Sequence, residues 1–161
     1  MIPKTHIDAI ELIALKLEAA KLPYALVGSC NLALQGIEVT PNDVDISVHK
    51  DHLVYVRDIF KTHNPTEITE YKTTTSKQAW GVKMTINNVP VEFVGENDDG
   101  LYYEHVKKKQ YTRHYHANET PVNCLNLSLE EYNYRITNRP EKAALVKKEI
   151  DRMAKALTCP G

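Results

Sequence analysis

The fold is decided by the stretch Leu26-Val-Gly-Ser-Cys-Asn-Leu-Ala-Leu-Gln-Gly-Ile-Glu-Val-Thr-Pro-Asn-Asp-Val-Asp-Ile-Ser-Val48. A Gly-Ser pair, Gly28-Ser29, follows a short apolar run, and Asp43 and Asp45 lie two residues apart in an alternating segment. Successive strand side chains point to opposite faces, so a strand here places both aspartates on one face. Two adjacent carboxylates repel, and burying one is costly unless a cation or a proton compensates. The pair therefore predicts a divalent-metal site.

The rest of the chain predicts a mixture of helices and strands. Apolar residues at helical spacing predict helices at residues 3–21, 30–35, 51–62, 129–136 and from Pro140 onward. Short apolar or alternating runs predict strands at residues 24–27, 43–48, 67–71, 78–86 and 89–94. We expect Ser29 to cap the second helix, Gly36 to end it, and Asn87-Asn88 to form a tight hairpin turn. Residues 101–120 show no clear period.

The length of 161 residues is typical of one domain that can bury a core. The predicted fold class is α/β (α+β), a small mixed sheet flanked by helices. We expect a single domain over residues 1–161, with its core at about residues 22–95 and a C-terminal helical part at about residues 127–157.

Composition excludes several classes of partner. A net charge of −1 gives no general attraction to nucleic acid or to acidic membranes. No apolar run approaches the roughly 20 residues that a membrane span needs. The three cysteines (Cys30, Cys124 and Cys159) have no CxxC spacing, so neither a disulfide framework nor a zinc cluster is indicated. These features favour a cytoplasmic protein.

The pattern Gly28-Ser29, thirteen intervening residues, then Asp43-Val44-Asp45-Ile46 resembles the signature of the nucleotidyltransferase superfamily, whose fold is like that of DNA polymerase β. Small, minimal members also carry Ala-Leu-x-Gly in the helix and a Thr three residues before the first Asp, here Ala33–Gly36 and Thr40. The segment from Pro121 to Lys142 resembles the tail of such proteins. Many members carry a basic residue near position 39, where this chain has Val39.

The resemblance implies a role for each site residue. Asp43, Asp45 and a third carboxylate, Glu92, would hold Mg²⁺ or Mn²⁺, because hard oxygen ligands suit these ions. Glu92 would act as a metal ligand or as the base that takes the acceptor's proton. Gly28 and Ser29 would bind the phosphates of a nucleoside triphosphate at a helix N-terminus.

A further cation would come from the polar segment Thr73–Lys77. We expect this segment to lie over the triphosphate, with Lys77 on a phosphate; a polar loop without that role is the alternative.

The implied function is metal-dependent transfer of a nucleoside monophosphate from the triphosphate to an acceptor hydroxyl, with release of pyrophosphate. The acceptor is left open as a small molecule, a protein or tRNA, and the C-terminal helices would frame its cleft alone or through a homodimer. One alternative is a catalytically silent nucleotide-binding or partner-binding module that retains the fold. Another is nucleic-acid binding through the basic segment Lys107–Arg113, although such a segment is more often a solvated surface.

Overall fold

The computed structural model describes residues 2–73, 75 and 77–158. Its helices are α1 (Lys4–Ala19), α2 (Gly28–Leu34), α3 (Leu53–Ile59), α4 (Tyr103–Lys107), α5 (Leu127–Ile136) and α6 (Pro140–Thr158). Its strands are β1 (Ala25–Val27), β2 (Val44–His49), β3 (Thr69–Lys72), β4 (Gln78–Ile86), β5 (Val89–Glu96), β6 (Tyr111–Thr112), β7 (His116–Ala117), β8 (Thr120–Pro121) and β9 (Cys124–Leu125).

Seven strands form one mixed sheet in the order β3-β4-β5-β2-β1-β9-β6. The pairs β2·β5 and β1·β9 are parallel, and the other neighbours are antiparallel. Helices flank this sheet, which confirms the predicted α/β class. The remaining strands, β7 and β8, pair as a separate hairpin.

The main core lies on one face of the sheet, against α1 and α3. Alternation along β2 buries Val44, Ile46 and Val48 on this face, at 0–1% exposure. The rings of Phe60 and Phe93 meet here, with their centroids 5.2 Å apart. Because the apolar side chains of β2 all point into this core, its polar side chains point to the opposite face.

Turn chemistry follows the sequence at two sites and departs from it at a third. Gly36 has φ +94° just after α2, and Asn87 and Asn88 have φ +53° and +64° in the β4–β5 hairpin, as predicted. The prediction that Ser29 caps a helix beginning at residue 30 is wrong. Helix α2 begins at Gly28, its N-cap is Val27, and Ser29 lies inside the first turn. Strand β1 therefore runs into the helix with no intervening residue.

Residues 101–120, which show no period, contain short elements whose places depend on distant partners. Helix α4 and strand β6 form here, and β6 joins the sheet through β9. The C-terminal helices then pack on α2 in a second apolar cluster of Leu32, Ile37, Leu127, Tyr134, Ala143 and Val146. Among the described residues, no helix is both long enough and apolar enough to cross a membrane.

Replacing Phe93 with alanine tests the main core. We expect Phe93→Ala to lower the free energy of unfolding by about 3–5 kcal/mol, because the side chain is fully buried and the cavity would not refill. Thr85→Ala, an exposed position on the neighbouring strand, should change it by less than about 0.5 kcal/mol. Urea denaturation measures both. Similar losses in the two variants would contradict this description of the core.

Candidate active site

The turn between β1 and α2 brings backbone against a carboxylate. Val27 lies opposite Asp45 in the antiparallel β1·β2 pair, and Gly28 follows it with φ +74°. A Cβ atom at Gly28 would lie 2.9 Å from Oδ2 of Asp45. Only glycine combines this backbone conformation with this close approach. The motif therefore needs a glycine at position 28 for steric reasons.

Strand pairing brings the predicted carboxylates to one cleft. Asp45 lies opposite Glu92 in the parallel β2·β5 pair, and Asp43 comes one residue before β2. All three line a cleft of about 460 Å³, together with Gly28 and Ser29. The structure therefore places five of the predicted site residues around a single space.

The electrostatics of this cleft follow from burial and from like charges. Burial, then Asp43 and Glu92, raise the pKa of Asp45 to about 7, against a smaller opposing effect of Lys142 and Arg139. Burial also raises the pKa of Glu92; Lys83 opposes this shift and Asp43 adds to it. A carboxylate shifted in this way favours any bound cation that neutralises it.

The negative charge of these carboxylates is not fully compensated by the protein. Their oxygens are the ligands that Mg²⁺ and Mn²⁺ prefer, so the residues of the cleft fit such an ion. The carboxylates are not arranged as a finished site, since the described residues contain no group of three acidic, histidine or cysteine side chains placed to hold a metal. The Glu92 carboxylate lies beside Lys83 instead, with Oε2 3.8 Å from Nζ. A site completed by Glu92 stays a prediction, and it requires this ion pair to open.

Two cations at the start of α6 face the carboxylates across the cleft. Arg139 and Lys142 both line it and both lower the pKa of Asp45. They flank one aromatic ring: Cζ of Arg139 lies 5.9 Å and Nζ of Lys142 5.4 Å from the centre of the Tyr134 ring. No role for either residue was predicted from the sequence. Their spacing of three residues at a helix N-terminus, which puts them on one face, was the available signal.

Lys77 lies outside this cleft. Its ammonium donates to the backbone carbonyl of Asp99 at 2.6 Å, and it lines a different hollow near α4 and α5. Two residues of the predicted phosphate loop, Thr74 and Ser76, lie outside the described residues. A phosphate contact by Lys77 therefore stays a prediction that needs the Asp99 contact to break.

Glu96, an acidic neighbour of the site, has a structural role. It is the last residue of β5, and its side chain is 1% exposed. Its carboxylate accepts backbone N–H bonds from Leu101, Tyr102 and Tyr103 at 2.9–3.1 Å, which satisfies the start of α4. These bonds occupy Glu96, so Glu92 is the better candidate for the third carboxylate.

The basic segment Lys107–Arg113 is partly neutralised. Lys107 pairs with Asp98, Lys108 with Glu104 and Arg113 with Glu18, at 2.6–3.2 Å. The ion pairs reduce the charge available to a phosphate backbone, and nucleic-acid binding here stays an untested alternative. Val39, at the position where the resemblance led us to expect a basic residue, is partly buried against the C-terminal cluster.

Solved structures share this architecture. The Thermotoga maritima protein TM1012, assigned as a nucleotidyltransferase, superposes with a TM-score of 0.72 at 22% identity, covering 94% of this chain and 96% of that one. The chain has a nucleotidyltransferase fold. ANT(2″)-Ia, in complex with adenylyl-2″-tobramycin, gives a TM-score of 0.63 at 11% identity, covering 91% of this chain and 90% of that one.

A solution structure of the same antibiotic-resistance factor, ANT(2″)-Ia, also has this nucleotidyltransferase fold. It gives a TM-score of 0.58 at 11% identity and covers 91% of this chain and 83% of that one. No protein-family model and no curated protein matches the sequence. The likeness therefore lies in the fold.

The shifted carboxylate predicts a pH-dependent stability. The folded-state pKa of Asp45, about 7, is above its ordinary value of 3.8, so the folded protein holds this proton more tightly than the unfolded chain. The stability that the protonated Asp45 carboxyl contributes is fully present below about pH 4 and is lost as the pH rises through about 7.

Removing this charge should therefore stabilise the fold at high pH. Without divalent cations, we expect Asp45→Asn to raise the free energy of unfolding by roughly 2–4 kcal/mol at about pH 8, with little difference near pH 4. Urea titrations across this range measure the effect, and Asp58→Asn, at an exposed position, is the control. A variant less stable than the wild type at the high pH would contradict the assignment.

Proposed function

We propose that this protein is a metal-dependent nucleotidyltransferase. It moves a nucleoside monophosphate from a nucleoside triphosphate to an acceptor hydroxyl and releases pyrophosphate. The observation that carries the proposal is the meeting of Asp43, Asp45 and Glu92 with the Gly28-Ser29 turn in one cleft of a nucleotidyltransferase fold. Nucleotidyl transfer depends mainly on positioning and charge neutralisation, which such a cleft supplies.

The donor would lie between the turn and α6. Gly28 lets the backbone pass close to the Asp45 carboxylate, and the amide of Ser29 follows at the start of α2, where it would bind a phosphate. Arg139 and Lys142 approach from the other wall and would neutralise triphosphate charge. These two side chains offer the positive charge that Val39 does not.

Asp43 and Asp45 would hold the metal ion, and Glu92 would complete its shell or take the proton of the acceptor hydroxyl. Bound Mg²⁺ or Mn²⁺ would supply a Lewis acid that neutralises charge on the transferring phosphoryl group. The raised pKa of Asp45 supports this assignment, because it marks a carboxylate whose charge lacks sufficient compensation in the protein alone.

The acceptor would enter from the open face of the sheet. A groove of about 650 Å³ begins at Asp43 and Glu92, which also line the donor cleft, and continues along β4 past Lys83. A reacting hydroxyl in this groove would reach Asp43 and Glu92, the two carboxylates that the groove shares with the donor cleft. The groove is wide and polar, so the proposal leaves the acceptor's identity open.

The first test of this function removes the aspartates. We expect Asp43→Asn and Asp45→Asn each to lower metal-dependent pyrophosphate release by about a thousandfold or more, because metal stabilisation of the transition state is worth several kcal/mol. Radiolabelled triphosphates with Mg²⁺ or Mn²⁺ give the readout, and Asp58→Asn serves as control. Metal-dependent nucleotide binding without turnover in the wild type would instead support the silent binding module.

The second test concerns the cations. We expect Arg139→Ala and Lys142→Ala each to weaken binding of Mg²⁺·ATP by about tenfold, since a charge-assisted bond to phosphate is worth about 1.5–3 kcal/mol. Calorimetric titration measures the affinity. Lys147→Ala, at an exposed position on the same helix, should bind as the wild type does.

Lys77→Ala belongs in the same series, because it tests the cation that the sequence suggested. Its contact with Asp99 predicts a smaller loss of affinity than for Arg139→Ala. A larger loss for Lys77→Ala than for Arg139→Ala or Lys142→Ala would contradict the placement of the triphosphate between the glycine turn and α6.

A further inference from the structure

Helix α5, the first of the two C-terminal helices, contains a fully buried carboxylate. Glu130, in the first turn of this helix, is 0% exposed, whereas the adjacent Glu131 is partly exposed and pairs with Arg135. A buried carboxylate costs free energy unless hydrogen bonds compensate it. None of the chemistry described above uses Glu130, so its burial needs another reason.

Its contacts supply that reason. One oxygen of Glu130, Oε2, accepts the backbone N–H of Gly28 and the side-chain amide of Asn31, both at 2.8 Å. The Asn31 amide also donates to the carbonyl of Leu125, and Gln35 bonds both Asn31 and that carbonyl at 2.9 Å. A buried network thus joins the glycine turn, helix α2, strand β9 and helix α5.

This network fixes the backbone at the point where space is most restricted. Gly28 needs a positive φ and lies close to the Asp45 carboxylate, so a small rotation of its peptide would alter that approach. The bond to Glu130 occupies the Gly28 N–H and sets the direction of that peptide. The Gly28 N–H is therefore not available to a bound phosphate.

We propose that Glu130 is a positioning residue, which holds the Gly28 backbone against Asp45 and thereby sets the shape of the nucleotide cleft. The proposal rests on the proposed function for its effect on nucleotide binding. The positioning itself is a property of the fold alone. Burial raises the pKa of Glu130 to about 7, although the hydrogen bonds from Asn31 and Gly28 oppose this rise. The oxygen accepts both bonds whether or not the carboxyl group is protonated.

The conservative variant separates positioning from general stabilisation. Glu130→Gln keeps an oxygen that accepts from Gly28 and Asn31, whereas Glu130→Ala removes it. Both variants are expected to unfold more easily than the wild type: alanine leaves a cavity, and glutamine brings an amide NH₂ to the position of Oε1, which has no hydrogen-bond partner. Loss of stability alone therefore does not distinguish a positioning role.

Two readouts do distinguish it, measured below the unfolding range of every variant. Amide hydrogen exchange at Gly28 should accelerate by about tenfold or more in Glu130→Ala and by less than about threefold in Glu130→Gln. The affinity for Mg²⁺·ATP should fall by about tenfold in the alanine variant and stay within about threefold in the glutamine variant. Glu131→Ala, the neighbouring position on the same helix, should leave both quantities unchanged.

Two outcomes would overturn the proposal. One is an alanine variant with unchanged Gly28 exchange. The other is a glutamine variant as defective as alanine in both readouts, which would mean that the charge of Glu130 matters and not its hydrogen bonds. If the Gly28 amide responds as expected while the wild type binds no nucleotide, the positioning role is supported and the proposed function fails. The two ideas can thus fail separately.

Discussion

The contact between the Gly28 backbone and the Asp45 carboxylate is the constraint on which the rest of the site depends. It follows from the register of the β1·β2 pair, in which Val27 lies opposite Asp45. Once β1 ends there, the chain has to turn past a carboxylate with a positive φ, and only glycine fits. Because α2 begins at that same residue, the turn, the helix start and the acidic strand share one small space. Parallel pairing on the other side of β2 then adds Glu92 to it.

The parts of this site that the sequence predicts are those that depend on local periodicity. Alternation along β2 directs Asp45 away from the apolar side chains that enter the core, and Asp43, one residue before the strand, lines the same cleft as Asp45. The resemblance suggested Glu92, but its pairing with Asp45 depends on a parallel contact between strands more than forty residues apart. No local pattern encodes such a contact. Strand β1 ends at residue 27, as predicted, and the error at Ser29 concerns only the helix, because α2 begins at Gly28, directly after the strand.

The site residues of the C-terminal part could not be predicted from local sequence patterns, as Glu130, Arg139 and Lys142 show. In sequence, Glu130-Glu131 is an ordinary charged pair near the start of a helix, and glutamates are almost never fully buried. The structure separates them completely: Glu130 reaches the glycine turn, while Glu131 stays near the surface. Likewise, Arg139 and Lys142 face Asp45 only because α5 and α6 fold back onto α2. Their spacing puts both on one side of the start of α6, but only the packing of the helices brings that side to Asp45.

These buried acids also explain how stability and chemistry are divided between the two faces of the sheet. On one face, Phe60, Phe93 and their apolar neighbours supply the burial that holds the fold together. On the other, Asp45 is held in a setting that favours its protonated form, which lowers stability at neutral pH unless a cation is present. A cleft optimised for stability alone would replace or pair this acid. Asp45 instead lies beside Asp43 and Glu92 in a cleft with room for a ligand. This arrangement is the physical reason to regard the cleft as a candidate binding site. The solved structures that are similar at 11–22% identity support the fold alone, so the chemistry of the cleft depends on these side chains.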